Sequence, residues 1–117
     1  MADGDRVRTL AMALPGVVEA SEGDRLAFEI DGKGFAWTWL ERIEPKKPRR
    51  PRLDVLAIRC ELPRKEMLIA AAPDVFFDEE HYRGFPAVLV RLSQIDDTEL
   101  AGLLDSAWRL RRSRKRV

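Results

Sequence analysis

A chain of 117 residues, 45% hydrophobic and 35% charged, has the make-up of a single globular, highly charged domain rather than a disordered chain. No apolar run nears the ~18 residues of a membrane span, and the acidic start Met1-Ala2-Asp3-Gly4-Asp5-Arg6 lacks the apolar stretch of a secretory signal. Cys60 is the single cysteine, which excludes an intrachain disulfide and a cysteine-cluster zinc site and fits a cytoplasmic protein.

Taken in order, the first helix is expected near Asp5, with Val7, Leu10, Ala11 and Leu14 on one apolar face, because that spacing follows the helical period. Pro15-Gly16 ends it, and residues 17–24 read as a polar connection. Leu26, Phe28 and Ile30 alternate with smaller or polar residues as a half-buried strand. Asp31-Gly32-Lys33-Gly34 is a hairpin turn, since glycine accepts the positive φ of tight primed turns. Phe35, Trp37 and Trp39 continue in a second strand, and strict alternation places all six large residues on one sheet face. The other face would then offer Ala27, Glu29, Ala36 and Thr38, small and polar enough for water.

Residues 41–52 hold Pro45, Pro48 and Pro51, each lacking an amide donor, so an extended basic loop is expected there. A strand over 53–60 and a helix opening at Pro63 follow, the helix using Met67, Leu68, Ala71 and Ala72 as its apolar residues. Val75-Phe76-Phe77 is a short strand, 78–86 a loop, and 87–92 a fifth strand. The last helix starts at Asp96, whose pairing with Glu99 resembles a capping box. Leu100, Leu103, Leu104 and Ala107 form its buried face. The order α-β-β-β-α-β-β-α lacks the alternation of parallel units. It predicts an α+β, two-layer α/β sandwich with a largely antiparallel sheet and helices on one face. Residues 1–110 make one domain and 111–117 a basic C-terminal tail.

The segments that carry a family resemblance are now in place. They are Ala13-Leu14-Pro15-Gly16, Leu26-Ala27-Phe28-Glu29-Ile30 with Gly32-Lys33, and Pro73-Asp74-Val75-Phe76-Phe77. His81-Tyr82-Arg83-Gly84-Phe85-Pro86-Ala87-Val88-Leu89-Val90-Arg91-Leu92 and the last helix complete the set. In this order and spacing the chain resembles the MmcQ/YjbR-like family over nearly all of 7–112. The resemblance implies a small two-layer domain similar to secretion chaperones and to the frataxin-like CyaY fold. It also implies DNA binding through a "double wing" arrangement, and it brings no catalytic motif.

Charge points the same way. The net charge is +1, yet residues 41–52 carry +4, residues 109–117 carry +6, and the rest carries −9. Arginines and lysines on flexible stems neutralise phosphates and release counterions with little sequence selectivity. The expected contacts are Arg42, Lys46, Lys47, Arg49, Arg50 and Arg52 in the loop. Arg111, Arg112, Arg114, Lys115 and Arg116 are expected to add to them from the tail. One shared face for both segments would favour nucleic acid, and opposite ends would count against it. The alternative is a protein-interaction or chaperone-like adapter using the exposed sheet, able to form a homodimer.

Asp78-Glu79-Glu80-His81-Tyr82 concentrates acids beside the single histidine, the residue types of acid–base or metal chemistry. Neighbours on an extended chain point in alternate directions, so a structural loop is the expectation. No enzyme activity, cofactor or metal is expected. Trp37 and Trp39 are read as core, with a base-stacking platform as the alternative should they lie at the sheet end beside the basic loop.

Overall fold

A computed structural model describes residues 2–42 and 46–112. The elements are α1 (Gly4–Met12), β1 (Val18–Glu19), β2 (Ala27–Ile30), β3 (Lys33–Glu41), β4 (Arg50–Arg59), α2 (Leu62–Ala71), β5 (Phe76–Phe77), β6 (Ala87–Arg91) and α3 (Asp97–Arg111). The expected order holds, with the short strand β1 added inside the segment read as a polar connection. The sheet is antiparallel throughout, in the order β1-β2-β3-β4-β6-β5. No helix among the described residues is long and apolar enough to cross a membrane.

The helices pack on one side of the sheet. Val7 and Ala11 of α1 meet Leu100, Leu103, Leu104 and Ala107 of α3 over Phe28, Phe35, Leu56, Ile58, Val88 and Val90. Asp3, rather than Asp5, caps α1 by accepting the Arg6 amide at 2.9 Å. The α3 cap falls where the capping pattern puts it: Asp96 accepts the Glu99 amide at 2.7 Å. Trp108 ties α3 to the end of the first helical segment by donating its indole N–H to the Pro15 carbonyl at 2.9 Å.

Three features depart from strict periodicity. The β2–β3 turn is the expected one, with φ of 53° at Asp31 and 75° at Gly32, but the register slips beyond it. Glu29 faces Gly34 while Phe28 faces Ala36, so Phe35 is an extra residue opposite the partner strand. A bulge of this kind inverts the parity of everything downstream. Phe35 and Ala36 both reach the helix-side core, and Trp37 and Trp39 turn to the opposite face. There they form a second apolar cluster with Val55, Ala57, Leu89, Phe77 and Tyr82. That face is not the small, polar surface that alternation predicts.

The second departure lies in α2. Its inward residues are Lys65, Leu68 and Ile69, continued by Ala72 at its C-cap, whereas Met67 and Ala71 are exposed. Reading only apolar residues sets the helix face one position off, because the side chain at the centre of the inner face is a lysine.

The third is the proline-rich stretch. β3 runs to Glu41 and β4 starts at Arg50, so Leu40 pairs with Pro51 and Glu41 with Arg50. Pairing continues through Pro51 because β4 meets β6 only from Val55 onward. Pro51 therefore lies where β4 has β3 on one side and no strand on the other among the described residues, and a missing amide costs little there.

Candidate nucleic-acid interface

That topology makes an arm. Residues 39–41 of β3 and 50–52 of β4 pair with each other. β2 reaches only as far as Ala27 opposite Trp37, and β6 only as far as Arg91 opposite Val55. The two strand ends continue beyond their pairing with β2 and β6, with Arg50, Pro51 and Leu53 exposed. A right-handed twist suits such a two-stranded ribbon. Arg52 stiffens its base, donating to Glu41 at 3.1 Å and to both carboxylate oxygens of Asp54 at 3.0 and 2.9 Å. These bonds, to Asp54 first and Glu41 second, hold the guanidinium well above its ordinary pKa. In return the Asp54 carboxyl is held below its usual range.

The sequence-derived cations divide between two places. Arg42, Lys46, Lys47, Arg49 and Arg50 are exposed on the arm, while Arg52 is half-buried in its ion pairs. Arg111 lies elsewhere. It ends α3 and donates to the Gly34 carbonyl at 3.2 Å, at the start of β3. Gly34 and Glu41 are separated by about 23 Å of strand at roughly 3.3 Å per residue. The arm and the end of α3 thus occupy opposite ends of β3 rather than one shared face, the arrangement that counts against both segments contacting one nucleic acid together. Arg112 stacks over the Trp108 ring at 4.7 Å and, with Arg64 and Arg109, lines a cleft of about 440 Å³. Arg114, Lys115 and Arg116 lie outside the described residues.

A groove of about 580 Å³ opens at the root of the arm, where β2 stops and the edge of β3 is left uncovered. Leu26, Ala27, Trp37, Thr38 and Leu40 line its β2–β3 side, and Ala20, Glu22 and Arg25 belong to the neighbouring turn. Arg49 from the arm and Tyr82 complete it. Trp37 is half-buried and fixed in place: its indole N–H donates to the Tyr82 hydroxyl at 3.0 Å. Arg49 donates to the Leu40 carbonyl at 3.4 Å.

Tyr82 is delivered by the 78–86 loop, which crosses the second face of the sheet. Tyr82 and Phe85 meet edge to face at 5.7 Å, and Trp37 and Phe85 at 6.4 Å. Arg59 stacks over Phe85 at 4.9 Å. The loop is held from beneath by Lys65, buried to 3% exposure. Its ammonium donates to the carbonyls of Tyr82 and Phe85 at 2.6 and 3.0 Å and pairs with Asp78 at 3.0 Å. No periodicity signal finds this lysine. The Lys65–Tyr82 separation of 17 residues is bridged only once α2 and the loop are folded.

The acidic cluster has work within the loop. Asp78 pairs with Lys65 and accepts the Glu79 amide at 3.0 Å. Glu79 caps the 3-10 turn Glu80–Tyr82 by accepting the His81 amide at 2.9 Å. His81 is exposed. Among the described residues, no group of three or more His, Cys, Asp and Glu side chains is placed to hold a metal ion.

These features define a two-layer α+β domain with an antiparallel sheet, a projecting basic arm and an aromatic second face. The YjbR family model matches residues 12–110, and the chain belongs to that family. It is similar to the uncharacterized proteins Rv2570 of Mycobacterium tuberculosis and Mb2600 of Mycobacterium bovis. Each is 33% identical over 118 residues, spanning 92% of this chain and 87% of the relative. Among solved structures, Deinococcus radiodurans protein DR2400, with a DUF419 family domain, shares the fold at a TM-score of 0.69 and 21% identity. The match covers 94% of this chain and 78% of that one.

Proposed function

We propose that this protein is a non-enzymatic DNA-binding module that grips the phosphate backbone with the β3–β4 arm. The observation that carries the reading is the arm itself, a two-stranded projection with Arg42, Lys46, Lys47, Arg49 and Arg50 exposed on it. A narrow ribbon can follow a groove, and its cations gain affinity by releasing counterions. Arg52 serves the arm's internal geometry rather than the ligand. The α3 arginines stand at the far end of β3 and are left out of the primary contact.

Fluorescence anisotropy with a duplex oligonucleotide at two salt concentrations tests this. Binding should weaken steeply with salt. Neutralising Lys46, Lys47, Arg49 and Arg50 to glutamine should flatten the slope by about 0.9 for each phosphate that the arm no longer neutralises. No binding at the lower salt would sink the reading.

The second reading, a protein-interaction adapter, is favoured by the uncovered edge of β3 beyond Thr38, where an extended peptide could add a strand. A partner that protects from exchange the Leu40 amide, which lies on the same edge of β3 as the Thr38 amide, with no DNA affinity, would select it.

A further inference from the structure

We infer that the groove at the root of the arm is a pocket for an unpaired nucleobase, so that the protein engages single strands by a contact that duplex DNA cannot make. The inference rests on the nucleic-acid reading above and adds a ligand class to a separate surface. Trp37 supplies an aromatic surface, half-buried and held by its bond to Tyr82, so its ring is already oriented before a base arrives. Stacking on such a platform is tolerant of base identity, because every base has a π-face. Arg49 lines the pocket from the arm and Arg25 from the neighbouring turn, which puts cations beside the stacked base, where its phosphates must lie. Glu22 adds a carboxylate able to accept hydrogens from an exocyclic amino group. The volume of about 580 Å³ lies within the roughly 300–1,000 Å³ of small-molecule sites and exceeds what one base needs. A base within a duplex is stacked and paired, and reaches such a pocket only if extruded.

The chemistry recognised is a base with its phosphate, which a DNA strand, an RNA strand or a free nucleotide could each present. Indole emission of the unaltered protein is therefore titrated with single-stranded DNA, RNA of the same sequence and adenosine monophosphate. Quenching at the lowest concentration identifies the source. Anisotropy then compares single strand with duplex for Trp37→Ala and, with no change to the sheet, for Arg25→Gln. We expect quenching by single strands. We also expect on the order of a tenfold loss of single-strand affinity in Trp37→Ala, a smaller loss in Arg25→Gln, and duplex affinity unchanged in both.

Duplex binding with no quenching, and single-strand affinity equal in all three proteins, would overturn the pocket while leaving the arm reading intact. Failure to bind any oligonucleotide would overturn both. Loss of duplex binding alone, with single strands still quenching, would remove the arm reading and keep the pocket.

Discussion

Trp37 donates its indole N–H to the hydroxyl of Tyr82 at 3.0 Å, across 45 residues of sequence. This bond joins the sheet's second face to the loop that crosses it. Tyr82 is the sole tyrosine, so its ionisation can be followed without ambiguity. Burial raises its phenol above the ordinary value of 10.0, and the bond from Trp37 opposes that rise without cancelling it. Tyrosinate absorbance should therefore show a midpoint above 10.0 in the native protein and a return to the ordinary value in denaturant.

The same shift carries a stability consequence. The folded-state pKa lies above the unfolded one, so the folded protein holds the proton more tightly. The contribution is complete below about pH 10, the unfolded tyrosine value, and is lost as pH rises through the folded value. Urea midpoints should fall over that alkaline window, and Tyr82→Phe should fall less steeply there. An equal alkaline decline in both proteins would assign the loss to other groups.

Lys65 should be among the most sensitive positions in the chain. Replacing it by methionine keeps most of the volume but leaves two loop carbonyls and the Asp78 carboxylate without their donor. Asp78 is partly solvated, so the expected cost is about 2–3 kcal/mol, below that of breaking a wholly buried pair. Lys65→Met with Asp78→Asn should recover part of that loss, since the two sites are coupled. Chemical denaturation of the four proteins of the cycle measures it, and strict additivity would mean that the pair does not interact.

At the opposite end of the fold, Asp96→Ala should cost about 1 kcal/mol, because the Glu99 amide loses its acceptor at the start of α3. Thermal unfolding would register it, and Asp96→Asn should be nearly neutral.

Much of this architecture is legible in the chain because local rules and the fold agree there. The α3 cap and its apolar residues follow from spacing, and the hairpin within Asp31-Gly32-Lys33-Gly34 follows from its glycines. Three misreadings have one physical cause each. Alternation assigns Trp37 and Trp39 to the wrong face because one unpaired residue, Phe35, inverts the parity, and nothing within the alternation marks a bulge. Lys65 is invisible because a charged residue in an amphipathic pattern reads as solvent-facing, and the groups that compensate its burial, two loop carbonyls and the Asp78 carboxylate, are distant in sequence. The groove inherits these first two: its indole depends on the bulge, and its Tyr82 wall depends on the lysine. The arm reads as a loop because prolines argue against pairing, and that argument weakens where a strand has a neighbour on one side.

Cys60 offers a probe of how far these parts move together. The thiol is buried to 4% exposure, and burial raises its pKa despite the opposing pull of Lys65, Arg64 and Arg59. Both effects suppress the thiolate, which is the reactive form. A thiol reagent at neutral pH should modify the native protein slowly and the denatured protein at once. The native rate then reports the opening that exposes the Cys60 side chain, at the junction of β4 and α2. If that opening is the release of α2 with the loop it anchors, Lys65→Met should accelerate labelling by the factor that matches its loss of stability. About 1.4 kcal/mol corresponds to tenfold. Labelling unchanged by Lys65→Met, in a variant shown by denaturation to be destabilised, would mean that Cys60 opens locally and that α2 stays docked when it does.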